Sequence, residues 1–490
     1  MKLVKVIAIV VSIIYSSFTF SQNYHALAGS PYAGVEGIYH NPANSINSSF
    51  SWDITLFSGQ ITLSNQAFFF KNASVSSLNY NSPAYHHASL KLTNGNIERH
   101  LNGDGDFSIL NFRCRLNKKS AFSFGVRGRG YLNAYSDPFI YSDTMSKLKS
   151  FMDANLNDQG LSASVIHSGW LEANFNYSRV YVDNDQKRIT WGITLGIMKG
   201  MSALEFNPRQ ITFAKGLNGL NQPYYYINGG NYSYRYTTNY DSYDSTSSIR
   251  NNFNNMLSNS TTSLSLNLGV EYILKKENVS TYTSYGNDNW NAKDYNWKFG
   301  AALMDLGTNY YTEGKDAAEK NVPTGLINDS LINRYTLPNI NKLKDTLLHS
   351  YEDTRILNGS FSVSNPTRLV LYADRNLGNN FYVNGELTVN FFTSRAKSRA
   401  RTSEVNFLIV TPRWETKGLG IYLPVQLNNE MQFWVGAALK LGPLLIGVHD
   451  LDLINWFKTG NHQINGGGYM LLSIHPFGKD KEAVECPSKY

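Results

Sequence analysis

Long stretches in which apolar and polar residues strictly alternate constrain the fold of this chain most. In residues 110–116, Leu110 and every second residue after it are apolar, whereas the residues between them are asparagine or arginine. A period of two predicts a strand with one apolar and one polar face. The pattern recurs in residues 122–129, 171–178, 189–197, 264–272 and 381–391. Strands of about ten residues exceed the usual length of about five or six in soluble sheets and match the roughly 9–11 of a transmembrane strand.

The spacing of these stretches separates a membrane barrel from a soluble sandwich. Short turns are predicted at residues 117–120, 184–187, 376–380, 415–418 and 442–443, and long connections at residues 134–161, 200–261 and 308–365. A soluble sandwich would also alternate, but it predicts shorter strands and evenly short turns. Outer-membrane barrels combine short periplasmic turns with long outer loops. Residues 275–294 then form an unusually long periplasmic turn.

The predicted fold class is therefore all-β, a closed antiparallel transmembrane β-barrel of 14–16 strands with long extracellular loops, in the outer membrane of a Gram-negative cell. The pattern gives about sixteen strands within residues 49–477, and the last of them spans residues 466–477. Residues 478–490 form a short periplasmic tail, and no second domain is predicted. Residues 316–320 and 341–351 are compatible with short helices in an outer loop.

The first 21 residues resemble a secretion signal. Lys2 and Lys5 precede an apolar run, and Thr19 and Ser21 fit the small-residue positions of a cleavage site. A membrane anchor is the alternative, but the run of about 15 residues is shorter than the roughly 20 that a spanning helix requires. The apolar run indicates a signal peptide over residues 1–21.

Residues 22–48 are glycine-rich and aromatic and predict neither a good helix nor a good strand. A barrel of about 14 strands is too wide for its own side chains to fill, so this segment is predicted to be a hatch inside the lumen. Glycines permit close backbone approach, prolines fix turns and Asn41 can cap one. The predicted hatch motif is Gly29, Gly34, Gly37, Asn41, Pro42 and Ala43. An ordinary turn before the first strand is the alternative.

Residues 24–43, together with Pro412-Arg413-Trp414 and Tyr422-Leu423-Pro424, resemble an uncharacterised family of outer-membrane β-barrels over most of the chain. The hatch motif and general layout are also similar to FadL-type long-chain fatty-acid transporters and to barrels associated with type IX secretion. The resemblance to the transporters implies fourteen strands and transport through a lumen. The uncharacterised family implies no biochemical activity.

A basic ladder is predicted on the lumenal face of one hairpin, formed by Arg113, Arg115, Arg127 and Arg129. Such a ladder could bind a carboxylate head group or another anionic solute. The alternative is structural pairing with lumenal acids, for which the candidates are Glu36, Glu172, Glu271 and Glu386.

Two outer-loop segments could contact other molecules. Residues 224–243 contain eight tyrosines, which could bind a sugar or a protein or could pack against each other. The basic segment at residues 394–401 could contact lipopolysaccharide phosphates or could be solvated.

Few sequence features indicate chemistry. Cys114 lies on an apolar face and Cys486 in the tail, so no disulfide between them is expected. The pair His86-His87 has no companion ligands at metal spacing, and neither a metal nor a cofactor is predicted. The net charge of +7 falls to +5 without Lys2 and Lys5, which is weak evidence for a polyanionic partner, and nucleic acid is not expected.

Two functions remain open, and neither is enzymatic because no Ser-His-acid set is recognisable by spacing. The first is passive transport of a small, lipophilic or anionic solute through a hatch-gated lumen. The alternative is a docking or structural barrel of a secretion or surface-attachment machinery, with a protein partner bound by the outer loops. Outer-membrane lipid and lipopolysaccharide are the expected surroundings in both cases.

Overall fold

The computed structural model describes residues 25–74, 89–145, 148–156, 160–217, 219, 221, 223–244, 246–276, 292–321, 325–327, 354–391 and 400–476. The predicted signal peptide, the tail at residues 478–490, residues 341–351 and His86-His87 lie outside this part of the chain. Most of the described residues belong to strands, as the alternation predicts. Within the described part, no helix combines the length and the hydropathy that crossing a membrane requires.

Fourteen transmembrane strands form one closed antiparallel barrel. Each position in the wall is called a stave below, because three of the fourteen are interrupted and consist of two consecutive shorter strands. In chain order the staves are β1 (Trp52–Asn65), β4 (Gly95–Asn117), β5 (Ser120–Tyr141), β6 (Ala163–Asp183), β7 (Lys187–Leu217), β9 (Thr262–Lys275), β10 (Tyr295–Thr312), β14 with β15 (Ser360–Ser364, Arg368–Gly378), β16 (Phe381–Asn390), β17 (Phe407–Glu415), β18 with β19 (Leu419–Tyr422, Val425–Asn428), β20 with β21 (Phe433–Val435, Ala437–Leu441), β22 (Leu444–Val448) and β24 (Gly466–Ile474).

The first and last staves close the barrel. Strand β1 pairs with β24 from Ile54↔Ile474 to Leu63↔Gly466 and with β4 on its other side. All five predicted short turns are confirmed, because each lies between two adjacent strands at the same end of the barrel. The closed pairing leaves the wall without an exposed sheet edge, which is the condition for a strand structure to cross a bilayer.

The remaining strands lie outside the wall. Strands β2 (Phe68–Ala73), β3 (Ser89–Leu92) and β23 (Gly460–His462) form a separate three-stranded sheet. Strands β8 (Pro223–Tyr236), β11 (Ala318–Lys320), β12 (Gly325–Ile327) and β13 (Thr354–Ile356) extend the long end of the barrel. The count of sixteen was therefore too high, because β2 and β3 near the N-terminus pair in the small sheet and not in the wall.

The long connections contain more strand than predicted. Strand β7 continues to Leu217 and pairs there with β8, and β5 and β10 also run well past the predicted strand ends. Residues 318–320 form a strand, so the predicted helix at residues 316–320 is wrong. The described connections instead contain helices α1 (Leu148–Ala154) and α2 (Ile249–Ser258), and a short 3₁₀ helix at Thr238–Tyr240. Another 3₁₀ helix, Leu451–Phe457, precedes β23.

The two faces of the wall have opposite chemistry. Exposed apolar side chains project outward, among them Leu195, Leu264, Val270, Phe299, Leu408, Ile421, Leu439 and Ile446. Charged side chains project inward and are buried, among them Asp53, Arg113, Glu172, Glu271, Lys298, Asp374 and Arg413. This is the reverse of a soluble protein, and it gives the barrel an apolar band facing lipid and a polar lumen.

Candidate functional site: the lumenal plug

Residues 25–48, which we call the plug, fill the lumen in the half of the barrel nearer the short turns. Nearly every plug residue is buried, including Ala26, Val35, Asn41 and Asn47. The plug contacts inward-facing residues of strands from β1 round to β17. Wall residues therefore surround this segment.

Three short 3₁₀ helices make up the plug, at His25–Leu27, Gly34–Tyr39 and Pro42–Asn47. Two turns between them require glycine, because Gly29 has a φ of +68° and Gly34 a φ of +61°. A Cβ at Gly34 would also lie 2.7 Å from Oδ2 of Asp53 on the wall. The third predicted motif glycine, Gly37, lies against Asn44 within the plug.

The Asn41-Pro42-Ala43 turn rests on two glycines of the wall. Asn41 caps the third 3₁₀ helix, since its Oδ1 accepts a hydrogen bond from the Ala43 N–H at 2.9 Å. Gly192 of β7 and Gly269 of β9 are register partners directly behind this turn. A Cβ at Gly192 would lie 2.3 Å from the Pro42 carbonyl, and one at Gly269 would lie 2.1 Å from Asn41 Oδ1. The wall is thus flat where the turn approaches it.

Cationic wall side chains hold the carbonyl oxygens of the plug and of the chain that follows it. Arg113 donates to Ser45 O at 3.1 Å and to Phe50 O at 2.6 Å, and Arg115 donates to Ser48 O at 2.7 Å. Lys298 on the other side of the lumen donates to Gly29 O at 3.0 Å. Because these bonds go to backbone, they depend on the path of the plug more than on its side chains.

Plug side chains also reach wall side chains. Glu271 accepts from the side-chain amides of both Asn44 and Asn47, and Asn47 also donates to Thr190 at 2.8 Å. Asn111 donates to Glu36 at 2.9 Å and accepts from the Tyr39 hydroxyl at 3.0 Å. The apolar contacts are fewer and consist chiefly of Ala26, Leu27 and Ala33 against a small cluster that includes Tyr422 and Leu445. Directed polar bonds therefore dominate the plug–wall contact.

A second layer, the ionic cluster, crosses the lumen above the plug. It consists of Arg127, Arg129, Arg368, Asp106, Glu172, Asp305 and Glu404. Arg127 lies 3.0 Å from Glu172 and 3.4 Å from Asp106, and Arg129 donates to Asp305. Arg368 pairs with both Asp305 and Glu404. Three arginines thus meet four carboxylates inside the barrel.

The predicted basic ladder is divided between these two layers. Arg113 and Arg115 hold the plug end of the chain, and Arg113 also pairs with Asp53 at 2.6 Å. Arg127 and Arg129 belong to the ionic cluster, and the guanidinium of Arg127 stacks on the Tyr39 ring of the plug at 4.4 Å. Of the candidate acids, Glu172 pairs with the ladder, whereas Glu36, Glu271 and Glu386 contact other residues. The geometry corresponds to the pairing alternative.

A cavity of about 950 Å³ lies beyond the ionic cluster, at the end of the barrel with the long connections. Along β5, Ser123 contacts the plug, Arg127 and Arg129 form part of the ionic cluster, and Tyr135 lines this cavity. The lining is mainly polar and includes Glu205, Asn207, Arg209, Ser233, Arg235 and Glu319. The lumen thus has three levels, namely plug, ionic cluster and outer cavity.

The two outer-loop segments that could contact other molecules, residues 224–243 and 394–401, are described by the structure to different extents. In the tyrosine-rich residues 224–243, Tyr225, Tyr232 and Tyr236 are buried; Tyr236 packs against Tyr234 and Tyr240, and the other two belong to a cluster with Met152. Most of the basic segment at residues 394–401 lies outside the described chain. Cys114 is a free thiol, and Cys486 is outside the described residues.

One cluster in the lumen was missed by the sequence analysis. His25 and His40 of the plug converge on Glu386 of β16, at 3.0 Å and 3.8 Å respectively. All three side chains are buried, and their ligand-type atoms lie within 4.8 Å of one another. Glu386 is separated from His25 by 361 positions, so no local spacing could indicate the group.

A closed antiparallel barrel with an apolar outer band and a plugged polar lumen defines an integral outer-membrane β-barrel protein. The chain belongs to the Family of unknown function (DUF5723), whose model matches residues 42–449. The resemblance to an uncharacterised barrel family is thereby confirmed. No curated protein matches the chain in sequence.

Two solved structures are similar in shape along nearly their whole length. One is the crystal structure of a Pseudomonas aeruginosa FadL homologue, with 11% identity and a TM-score of 0.39, covering 91% of this chain and 95% of that one. The other is the TodX deltaS2S3 mutant monoaromatic hydrocarbon channel, with 9% identity and a TM-score of 0.40, covering 90% and 93%. Because identity and TM-score are low, neither supports a functional argument, and neither concerns type IX secretion.

Proposed function

We propose that this protein is a passive outer-membrane channel for a small polar solute, and that the plug gates its lumen. The observation that carries the proposal is the way the plug is held. Wall side chains from opposite sides of the lumen bind it through directed hydrogen bonds, such as those of Arg113, Lys298 and Glu271. Water can replace hydrogen bonds of this kind one by one, and a net contribution of about 1.5–3 kcal/mol is expected from each because one partner is charged.

The wall does not need the plug to satisfy its backbone. Strands β1 and β24 close the sheet, and the ladder of hydrogen bonds continues around it. A closed barrel can remain folded while the segment inside it moves, because its own strands satisfy all the spanning N–H and C=O groups. This separation of wall and plug is what a gate requires.

The outer cavity indicates the kind of solute. Arginine, glutamate, asparagine and serine side chains line it, and both signs of charge are present. The ionic cluster lies directly on the path from this cavity to the plug. A lipophilic solute would have to cross both polar layers without compensation, which is costly. We therefore favour a small polar solute over a lipophilic one.

The outer loops add little support to the alternative function, a barrel that docks a protein partner. Its strongest sequence argument was exposed tyrosine, yet three of the eight tyrosines in residues 224–243 are buried, and Tyr225 and Tyr232 pack in one apolar cluster with Met152. The docking function remains a hypothesis, and a stable protein partner that copurifies from the native membrane would favour it.

The test is deletion of residues 25–39, measured with the barrel reconstituted in planar bilayers. We expect a folded, heat-modifiable barrel with a clearly higher single-channel conductance and faster swelling of liposomes in small sugars. Replacement of the same 15 residues by a glycine–serine segment of equal length is the matched control for chain length, and it should behave as the deletion does. Both variants must be compared with the unaltered protein at equal abundance of folded barrel.

Two results would contradict the proposal. A normally folded deletion variant with unchanged conductance and swelling would show that residues 25–39 do not limit passage. Loss of folding in both variants would show that the segment is part of the structural wall, in which case it cannot be a gate.

A further inference from the structure

The His25–His40–Glu386 cluster has the donor set of a transition-metal site. Two imidazoles and one carboxylate are the protein ligands of many zinc centres that keep a fourth position open. In a tetrahedral zinc site the ligand atoms lie about 3.4 Å apart, given metal–ligand distances of about 2.0–2.1 Å. Nδ1 of His25 lies 3.0 Å from Oε1 of Glu386 and Nδ1 of His40 lies 3.8 Å from Oε2, so the two imidazoles approach the two oxygens of one carboxylate at distances on either side of that value.

Charge also favours a cation at this position. The side chains of His25, His40 and Glu386 are all at most 6% exposed. A single carboxylate balances only one imidazolium, so a second buried imidazolium would be costly. A divalent cation is compatible with two neutral imidazoles and one carboxylate at once. His449, whose buried ring lies 6.0 Å from that of His25, adds another imidazole beside the cluster.

The ligands belong to two different parts of the molecule. His25 opens the first 3₁₀ helix of the plug and His40 follows the second, whereas Glu386 is on the wall strand β16. A metal bound by all three would connect both ends of residues 25–40 to the barrel. We infer that this cluster binds Zn²⁺ or a similar divalent transition metal and that the metal latches the plug to the wall. The latch rests on the proposed gating function, whereas the metal site itself does not.

Metal binding is tested on the full-length protein in detergent, stripped with a chelator and titrated with ZnCl₂. We expect one zinc per barrel by elemental analysis and calorimetry. Glu386→Gln and the double variant His25→Ala/His40→Ala should weaken binding by about 100-fold or more, because loss of an outer-shell partner alone typically costs about tenfold to 100-fold. The control is His100→Ala, which removes the imidazole of a separate His–Glu contact at 3.5 Å. Binding that is absent, or unchanged in both cluster variants, would overturn the site.

The latch is tested by cleavage with a glutamate-specific protease. Glu36 is the only acidic residue in residues 25–48, so a cut at this position reports release of the plug. Zinc should slow this cut at least tenfold in the unaltered protein and in His100→Ala, but not in Glu386→Gln. Equal rates with and without zinc in a protein that binds it would show that the metal does not hold the plug.

The outcomes separate the two proposals. If deletion of residues 25–39 leaves conductance unchanged while zinc still binds the unaltered protein and protects its Glu36, the channel proposal fails and the metal site stands. If the deletion opens the pore but the unaltered protein binds no zinc, the latch fails and the channel proposal stands.

Discussion

Arg113 and Asp53 form a fully buried ion pair on adjacent strands of the barrel, with Nε of Arg113 2.6 Å from Oδ1 of Asp53. The second oxygen of the same carboxylate accepts the N–H of Val35 in the plug at 2.5 Å. The guanidinium in turn donates to Ser45 O and Phe50 O. One pair of wall residues therefore fixes both the middle of the plug and the segment that leads into the first strand.

Arg113→Met should destabilise the protein by about 3–5 kcal/mol, because it leaves the buried Asp53 carboxylate without its partner. The loss should appear in urea unfolding of reconstituted protein, followed by the fraction of heat-modifiable barrel. Arg179→Met, at an exposed position, is the matched control and should lie within about 0.5 kcal/mol of the unaltered protein. The double variant Arg113→Met/Asp53→Asn should recover part of the loss. If it is as unstable as the sum of the single variants, the two side chains are not coupled.

Gly269→Ala should displace the plug without unfolding the barrel. Its Cβ would lie 2.1 Å from Asn41 Oδ1 and 2.8 Å from Pro42 Cδ, so the Asn41-Pro42-Ala43 turn could not keep its position. Gly192→Ala should act in the same way, since its Cβ would meet the Pro42 backbone. The expected result is higher single-channel conductance with normal heat modifiability.

Gly385→Ala is the control for the glycine substitutions, because the nearest heavy atom to its Cβ would be 4.0 Å away. It should conduct as the unaltered protein does. If Gly269→Ala and Gly385→Ala have the same conductance and the same protease sensitivity at Glu36, the turn does not rest on these glycines in the functional protein.

Phe124→Arg should impair assembly, because Phe124 projects from β5 towards lipid, where its ring packs 5.2 Å from that of Phe175. An arginine at the middle of the bilayer costs about 2–4 kcal/mol in a barrel, and about 0–1 kcal/mol near the interface. Tyr181→Arg, at an exposed position near a short turn, is the interfacial control. The folding yield in lipid vesicles is measured for Phe124→Arg and for Tyr181→Arg. Equal yields would mean that Phe124 does not face the bilayer core.

Period-two alternation predicted the wall well, because a strand between lipid and a polar lumen must alternate at every position. Residues 110–116 and 122–129 have the predicted faces, and Cys114 and Phe124 point outward while Arg113 and Arg127 point inward. The same rule overcounted strands near the N-terminus. Apolar sequence near the N-terminus indicates strands but not which sheet they join, and residues 68–73 pair with residues 89–92 and with the distant residues 460–462 outside the wall.

The plug was predicted from composition, but its contacts could not be. Glycine and proline content indicated close approach and tight turns, and Gly29, Gly34 and Asn41 have those roles. The wall residues that receive the plug lie up to 385 positions away, as Ser30 and Glu415 show. Only the closed topology brings such residues together. For the same reason Gly125, which alternation alone presents as a lumenal position open to a large side chain, is covered by Asn111 and Tyr39.

Plug docking should weaken as pH rises from about 5 to about 8 because of Glu36. The pKa of the Glu36 carboxyl is raised from 4.5 to about 7, chiefly by burial, while hydrogen bonds with Asn111 and Thr55 lower it and the nearby charges of Asp106 and Asp53 raise it. The docked plug therefore retains a proton on Glu36 that a released, hydrated plug would lose. This contribution to docking is fully present below the pKa of the hydrated carboxyl, is lost progressively between about pH 4.5 and about pH 7, and changes no further above that.

Open probability in planar bilayers, recorded between pH 5 and pH 8, measures this effect. It should rise with pH in the unaltered protein and much less in Glu36→Gln, whose side chain stays neutral and can still accept from Asn111. The difference between the two proteins isolates Glu36 from other titrating groups, and over this range it should amount to no more than about 3 kcal/mol, since one pKa unit corresponds to about 1.4 kcal/mol. Ser45→Ala, which removes a plug–wall hydrogen bond to Ser123 without removing a charge, is the matched control. It should raise the open probability equally at every pH. The same pH dependence in Glu36→Gln as in the unaltered protein would assign the titration to another group and remove Glu36 from the gating mechanism.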